Sequence, residues 1–385
     1  MGKFRKICNL LTGRNNLSIP FRACDLKKHL TLISPEEEQE RIRAWLKKRR
    51  ENNEIPINFP ERPKIFIAVR QVNWEEGGLV DSWREIADVI YYDCGEKYDP
   101  YSRNWQRKDK HLFNEELLKR VGEEHSRQPI QIFFSYLSGR SAFPETIRKI
   151  SEMGIITINI GFDDTRSFQG KKEKTGWTGN AEICFAFDVC ITCQNRSDIV
   201  KYLEIGARPI FFPPGGNHYF WASNSPSPNR TIPVSFIGQN QNYGRRQKVI
   251  DLLRKEGVPV ATYGIGWPEG EISQEKMLEI YSNSLLTIGF GYISSTDLLG
   301  FKGRDFEVPL TGVAYLTTYH EELARCFLSD QEMVFYSDEK DLVKKVKYYL
   351  GHLEEALEIG LAGRKKALAE HTWTKRWEKI LEVCR

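Results

Sequence analysis

Lys302, Arg304 and Glu307 fall in one short stretch, Leu299-Gly300-Phe301-Lys302-Gly303-Arg304-Asp305-Phe306-Glu307-Val308-Pro309-Leu310-Thr311-Gly312. Two cations flanking a glycine can neutralise phosphate charge. The carboxylate three residues after Arg304 shares its helix face, where it can accept two hydrogen bonds from a ribose diol. Such charge-assisted bonds contribute about 1.5–3 kcal/mol each when shielded from water. The plainer alternative, a surface i, i+3 ion pair, contributes only about a few tenths. A second turn has a related layout: Phe236-Ile237-Gly238-Gln239-Asn240 followed by Tyr243-Gly244-Arg245-Arg246 reads as strand, glycine, polar loop and a cationic helix start. That order suits an oxyanion such as a diphosphate, and a surface turn with arginines explains it equally well.

Three turns in the first half hold further candidates. In Asn159-Ile160-Gly161-Phe162-Asp163-Asp164 the paired carboxylates of Asp163 and Asp164 end an apolar run. They can serve as base or hydroxyl acceptor, and they are also favoured turn residues. Pro213-Pro214-Gly215-Gly216-Asn217-His218 sets the imidazole of His218 in a Gly/Pro turn near the joint between the two halves. Gly77 and Gly78, closing Gln71-Val72-Asn73-Trp74-Glu75-Glu76-Gly77-Gly78, precede a helical stretch and permit close backbone approach to a ligand. No G-x-G-x-x-G occurs, so a dinucleotide fingerprint is absent. Cys190 and Cys193 form a C-x-x-C inside an apolar run without a second pair or a nearby histidine, which reads as strand core and not as a metal site.

Alternating elements must position these turns. Short β-branched and aromatic runs at Ile65–Val69, Val89–Tyr92, Ile130–Phe134, Ile155–Ile160, Val189–Thr192 and Ile210–Phe212 alternate with helical stretches. After the Ser/Pro-rich joint at 223–231 the alternation restarts at Val234–Ile237, Val258–Tyr263, Leu285–Phe290, Val313–Thr317 and Met333–Tyr336. This pattern predicts parallel sheets with right-handed crossovers in an α/β chain of two Rossmann-like domains, 61–222 and 232–370. A last helical segment, 371–385, follows.

Residues 1–60 form a basic helical extension by this reading. They hold 13 Lys/Arg and seven Asp/Glu, net +6 against +4 for all 385 residues, which leaves the body at −2 and disfavours a nucleic-acid partner. Ser34, Pro35 and Glu37 predict a capped helix start and Lys47–Arg50 its end, a charge order that the helix dipole favours by itself. A solvated helix is the expectation, with a peripheral membrane contact through 1–60 as the alternative. Lys3, Arg5 and Lys6 precede too short an apolar stretch for a signal peptide, no run is long enough to span a bilayer, and the cysteines are scattered, so a soluble cytoplasmic chain is expected.

Several separated motifs in order resemble the C-terminal domain of group 1 glycosyltransferases, and more narrowly their spore-maturation-protein branch. They are Ile280-Tyr281-Ser282-Asn283-Ser284, Lys302 to Glu307, Gly312, Leu316-Thr317, Glu332 to Tyr336, Gly363-Arg364 and His371-Thr372-Trp373. The resemblance spans about 230 to 385. It implies a GT-B fold, with Thr374–Val383 crossing back onto the first domain. It also implies transfer of a sugar from a UDP-, GDP- or dTDP-linked donor to a glycan, lipid-linked or peptide acceptor. On this resemblance Glu307 holds the donor ribose, Lys302 and Arg304 take the diphosphate with Gly238 and Arg245 assisting, and Tyr263-Gly264-Ile265-Gly266-Trp267 floors the nucleotide base. Gly77 and Gly78 fall on the acceptor side. The broader group has a further acidic residue eight positions before Glu307, where this chain has Leu299. No metal or other cofactor is expected, since cations can meet the leaving diphosphate's charge and the chain has no D-x-D. An inverting reaction would draw its base from Asp163, Asp164 or His218, whereas a retaining one needs none. Two alternatives share the architecture: a nucleotide-sugar epimerase, and a catalytically silent nucleotide-sugar binder suggested by Leu299.

Overall fold

The structure, a computed structural model, describes residues 33–224, 226, 227, 229–240 and 244–385. The basic stretch at Lys3, Arg5 and Lys6, together with Cys8, Cys24, Ser225, Pro228 and Tyr243, lies outside the described residues.

Every apolar run named above forms a strand. The first sheet contains β1 (Lys64–Val69), β2 (Asp88–Asp93), β3 (Ile132–Ser135), β4 (Ile156–Gly161), β7 (Val189–Thr192) and β8 (Pro209–Phe211), all parallel, in the order β2-β1-β3-β4-β7-β8. A two-stranded hairpin of β5 (Lys172–Glu173) and β6 (Gly176–Trp177) is inserted between β4 and β7. Its polar sequence gives no alternating signal, and the buried Lys110 anchors it by donating to the Gly139 carbonyl at 2.6 Å and Thr175 Oγ1 at 3.1 Å. The second sheet is β9 (Ile232–Ile237), β10 (Val260–Tyr263), β11 (Ser284–Ile288), β12 (Ala314–Thr318) and β13 (Val334–Tyr336), parallel, in the order β10-β9-β11-β12-β13.

Strand periodicity divides each sheet between two cores. Ile65, Ile67 and Val69 of β1 pack on one side, and Phe66 and Ala68 on the other. In β9, Val234 and Phe236 face one cluster and Ile237 the other. Because crossover helices cover both faces, the strands read as nearly continuous apolar runs.

The closing helix Trp373–Cys384 returns to the first domain. Trp377 stacks on Trp83 at 4.9 Å, and its Nε1 donates to Ser82 Oγ at 2.6 Å. Among the described residues, no helix is long and apolar enough to cross a membrane.

Helix Pro35–Glu51 corrects the expectation of a solvated helix in the leading segment. Its capping box is present, but Ile42 and Leu46 are fully buried in the first domain's core, against the closing helix and β8. Glu38 Oε2 accepts the Phe211 N–H at 3.0 Å. Arg49 Nη1 donates to Asp188 Oδ2 at 2.7 Å, and Arg49 Nη2 to the Ser151 carbonyl at 2.8 Å. Glu38 and Arg49 are thus buried and paired over long separations, whereas Lys47, Lys48 and most of the helix's other charges stay exposed. Removing one partner of a buried ion pair leaves the other uncompensated. Arg49→Ala is therefore expected to lower stability by about 3–5 kcal/mol in denaturant unfolding, and deletion through Pro60 to abolish cooperative folding of the first domain.

Candidate functional site

The carboxyl ends of both sheets open onto one cleft, where ligands of open α/β sheets bind. A cavity of about 410 Å³ lies there, within the range of small-molecule sites. Its first-domain wall comes from the turns after successive strands: Trp74, Tyr136, Phe162 with Asp163, Gln194, and Gly215. Its second-domain wall is the stretch singled out in the sequence, with Lys302, Gly303, Arg304 and Glu307 joined by Tyr281 and Ile237.

Asp305 builds that wall although the sequence reading passes over it. Its buried carboxylate accepts the Lys302 N–H at 2.8 Å through Oδ2 and the Tyr315 hydroxyl at 3.0 Å through Oδ1. The turn before helix Arg304–Leu310 is thereby fixed, with the side chains of 302, 304 and 307 directed to the cavity. Its position between two cleft residues was the available signal. Burial pushes the Asp305 carboxyl up to about 6, partly offset by these hydrogen bonds and by Arg304 and Lys302.

Arg304 is the least satisfied group in the cleft. Its Nη1 is buried without a hydrogen-bond partner among the described residues. Burial disfavours its charge, but the Tyr281 and Tyr315 phenols and the Asp305 and Glu307 carboxyls hold its pKa above the ordinary value. Burial lowers Lys302 to about 8, and raises Glu307 to about 7 against the influence of Arg304 and Trp221.

Gly238 makes the Arg304 position possible. A Cβ there would stand 2.9 and 3.0 Å from Nη2 and Nη1, and its φ of +159° is one that other residues rarely adopt. Gly264 presses against Gly238 from behind: its added Cβ would lie 2.7 Å from the Gly238 carbonyl carbon. The Gly238 N–H donates to the Tyr263 carbonyl at 2.8 Å, and Trp267 Nε1 to the Gly238 carbonyl at 2.8 Å. Tyr263, Gly264 and Trp267 thus buttress the guanidinium instead of flooring the cavity.

Several other predicted residues lie elsewhere. Arg245 pairs with Asp297 at 2.7 Å and covers the Tyr292 ring at 4.2 Å, in a separate pocket. Asp164 is buried, accepting from Asn180 at 2.7 Å and from Thr192 and Tyr202 at 2.8 Å; burial, with Asp198 nearby, pushes its pKa up to about 6. It is a core residue and not a catalytic base. His218 faces Glu85 at 3.3 Å, off the cavity wall. Asp163 alone of the three candidate bases lines the cavity. Gly77 sits against Asn217, and Gly78 allows Trp74 and Trp373 to pack beside the helix start. Cys190 and Cys193 are buried, the latter behind the cavity.

The Gly215-Gly216 turn is a crossing point between the domains. A Cβ on Gly215 would lie 2.5 Å from the Trp373 nitrogen, and one on Gly216 2.8 Å from the Phe306 carbonyl oxygen. Arg376 locks the crossing by donating to the carbonyls of Pro213 (2.9 Å), Pro214 (3.3 Å) and Glu370 (2.8 Å). It also donates to His371 Nδ1 at 3.0 Å, so His371 donates its Nε2 proton to the Cys326 carbonyl at 2.9 Å. Burial, with Arg376 adjacent, lowers His371 to about 4 and keeps it neutral.

Residues 245–382 match a family profile described as glycosyl transferase-like. Among curated proteins none matches the sequence. Sucrose-phosphate synthase from Thermosynechococcus elongatus superposes with a TM-score of 0.57 at 11% identity, covering 83% of this chain and 98% of that one. A glycosyltransferase from Rickettsia africae gives 0.57 at 9% identity, covering 84% and 98%. Anabaena HepE, solved with UDP and glucose, gives 0.56 at 9% identity, covering 83% and 99%. At these identities the likeness is one of fold. Two parallel sheets with facing carboxyl ends, a returning last helix and a matched second half give this chain the GT-B fold of glycosyltransferases.

Proposed function

We propose that the protein is a glycosyltransferase that moves a sugar from a nucleoside-diphosphate donor to an acceptor hydroxyl without a bound metal. The observation that carries this reading is the half-buried Arg304 guanidinium, whose Nη1 is buried in the cleft with its N–H left unmet. A diphosphate oxygen supplies the missing acceptor, and Lys302 adds a second positive charge beside it. Glu307 takes the ribose diol. The acceptor oxygen forms its bond to the anomeric carbon as the bond to the diphosphate breaks. The diphosphate leaves with the electron pair, stabilised by Lys302 and Arg304. We assign the acceptor's proton to Asp163. Within group 1, the motif order from Lys302 to Trp373 favours the spore-maturation branch. HepE is described in complex with UDP, which makes UDP the first nucleotide to test.

Charge-assisted hydrogen bonds contribute about 1.5–3 kcal/mol each, so Arg304→Ala and Glu307→Ala should each weaken UDP binding roughly 10–100-fold in calorimetry while the fold persists by circular dichroism. Unchanged affinity in both variants would remove the site assignment. Turnover of a nucleotide-sugar panel should survive a chelator; complete loss restored by manganese would refute the metal-free mechanism.

Glu307 also predicts a pH dependence. Its folded pKa of about 7 exceeds the ordinary 4.5, so the folded protein holds a proton that the unfolded chain releases. That contribution to stability is full below the unfolded value and is lost as pH rises through about 7. Glu307→Gln should thus gain on the wild type between about pH 5 and 8, by on the order of 1–3 kcal/mol, read from paired melting curves.

A further inference from the structure

The cleft carries a second chemistry that the diphosphate site does not use. Trp74 lies on the first-domain wall, nearly parallel to Trp373 at 5.9 Å and 14°. Phe162 stands edge-on to both rings, at 5.3 and 5.8 Å. The stack continues inward from Trp373 to Trp377 at 5.3 Å and 15°, then to Trp83 at 4.9 Å and 7°. Four indoles form a column from the core to the cleft, and Trp74 is its outer ring.

The loop that presents Trp74 is held before any ligand arrives. Glu75 is buried, and its Oε2 accepts the N–H groups of Val72, Asn73 and Trp74 at 3.0, 2.9 and 3.2 Å. Gln71 Oε1 accepts the Glu76 N–H at 2.7 Å, and Asp93 Oδ1 accepts that of Gln71 at 3.0 Å. Three donors on one carboxylate oxygen set the loop's path, and the column sets the ring's plane. Preorganisation of this kind lowers the ordering cost of binding.

A fixed aromatic wall with a carboxylate beside it matches a ring that has apolar C–H faces and a rim of hydroxyls. The C–H face packs on aromatic rings, and hydroxyls donate to Asp163 and Gln194 at the edge. Gln194 Oε1 already accepts the Thr165 N–H at 3.2 Å, so the Asp163 carboxylate is the group that a rim of hydroxyls would meet and to which a lipid chain would offer no donor. We propose that the wall around Trp74 is the acceptor subsite and that the group it takes is a pyranose ring, one of whose hydroxyls hydrogen-bonds to Asp163. This assignment rests on the donor reading of the opposite wall.

Saturation-transfer NMR with methyl pyranosides of glucose, galactose, mannose and N-acetylglucosamine tests it, with UDP present and with UDP affinity measured alongside. Irradiating the protein's aromatic protons should give signal on the ring protons of at least one glycoside. Trp74→Leu, which keeps apolar bulk without a flat face, should weaken that glycoside's binding roughly tenfold. Trp74→Phe should keep most of it, and both variants should bind UDP as the wild type does. A wild-type protein that binds UDP but shows no glycoside signal, or a signal undiminished in Trp74→Leu, overturns the subsite. Preference for a long-chain alkyl phosphate over every glycoside overturns it as well. Absence of binding of UDP, GDP and dTDP alike in the wild type would instead defeat the donor reading.

Discussion

A guanidinium nitrogen buried with an unmet N–H is the constraint around which the second domain's cleft wall is organised. Desolvating a cation costs several kcal/mol unless its surroundings compensate. Compensation at Arg304 comes from the neighbouring Asp305 and Glu307 carboxyls, and it is incomplete because Nη1 stays unpartnered. Holding the group there requires room, and the room is a missing side chain at Gly238, itself backed by the Gly264 turn. Sequence positions far apart, 238, 264 and 304, are therefore one device. On the proposed donor reading, an anion in the cleft would meet that N–H, so the ligand-free state keeps part of the binding interaction in reserve.

Such a site is useful only if the opposite wall stands at a fixed distance. The Gly215-Gly216 crossing supplies this, since backbone from the first domain passes between helix Arg304–Leu310 and Trp373 with no side chain to spare. Arg376 then spends its donors on three carbonyls and one imidazole, which ties the returning helix to the joint. Farther along the cleft, the Phe301 N–H donates to the Gln194 carbonyl at 3.0 Å, and Asn195 Nδ2 to the Leu299 carbonyl at 3.0 Å. Leu299, where the broader group has an acid, thus uses its backbone as a contact between the domains.

The sequence shows clearly whatever local periodicity determines. Runs buried on both faces announce β1, β4, β9 and β12 with boundaries correct to within a residue or two, and the clustering of Lys302, Arg304 and Glu307 survives intact in space. Long-range pairing is what it conceals. Helix Pro35–Glu51 looks solvated because its charges are ordered as a free helix would have them, whereas Glu38 and Arg49 are buried against Phe211 and Asp188. Asp163 and Asp164 are adjacent and indistinguishable by type, yet the turn after β4 sends one into the cavity and the other into a hydroxyl and amide network. Arg245 reads as a cation at a helix start, and Asp297, fifty-two residues away, claims it. Trp74 reads only as part of a Gly-containing turn, because Trp373 and Trp377 share one helix at i, i+4 spacing while their stacking on Trp74 and Trp83 is a long-range pairing that no spacing announces.

The two walls divide the chemistry by type and not by residue count. The second domain brings positive charge, and an electrostatic grip on a diphosphate tolerates small shifts in ligand position because it falls off slowly with distance in a shielded site. The first domain brings flat rings and one carboxylate, whose contacts require a particular orientation. In the proposed transfer, the tolerant grip falls on the leaving group and the demanding one on the attacking group. The donor needs only to be held, whereas the acceptor oxygen must meet the anomeric carbon along a narrow path. In that proposal the Glu75-bound loop and the indole column stiffen the wall that must orient the acceptor, and the unmet N–H of Arg304 is the group that would hold the donor.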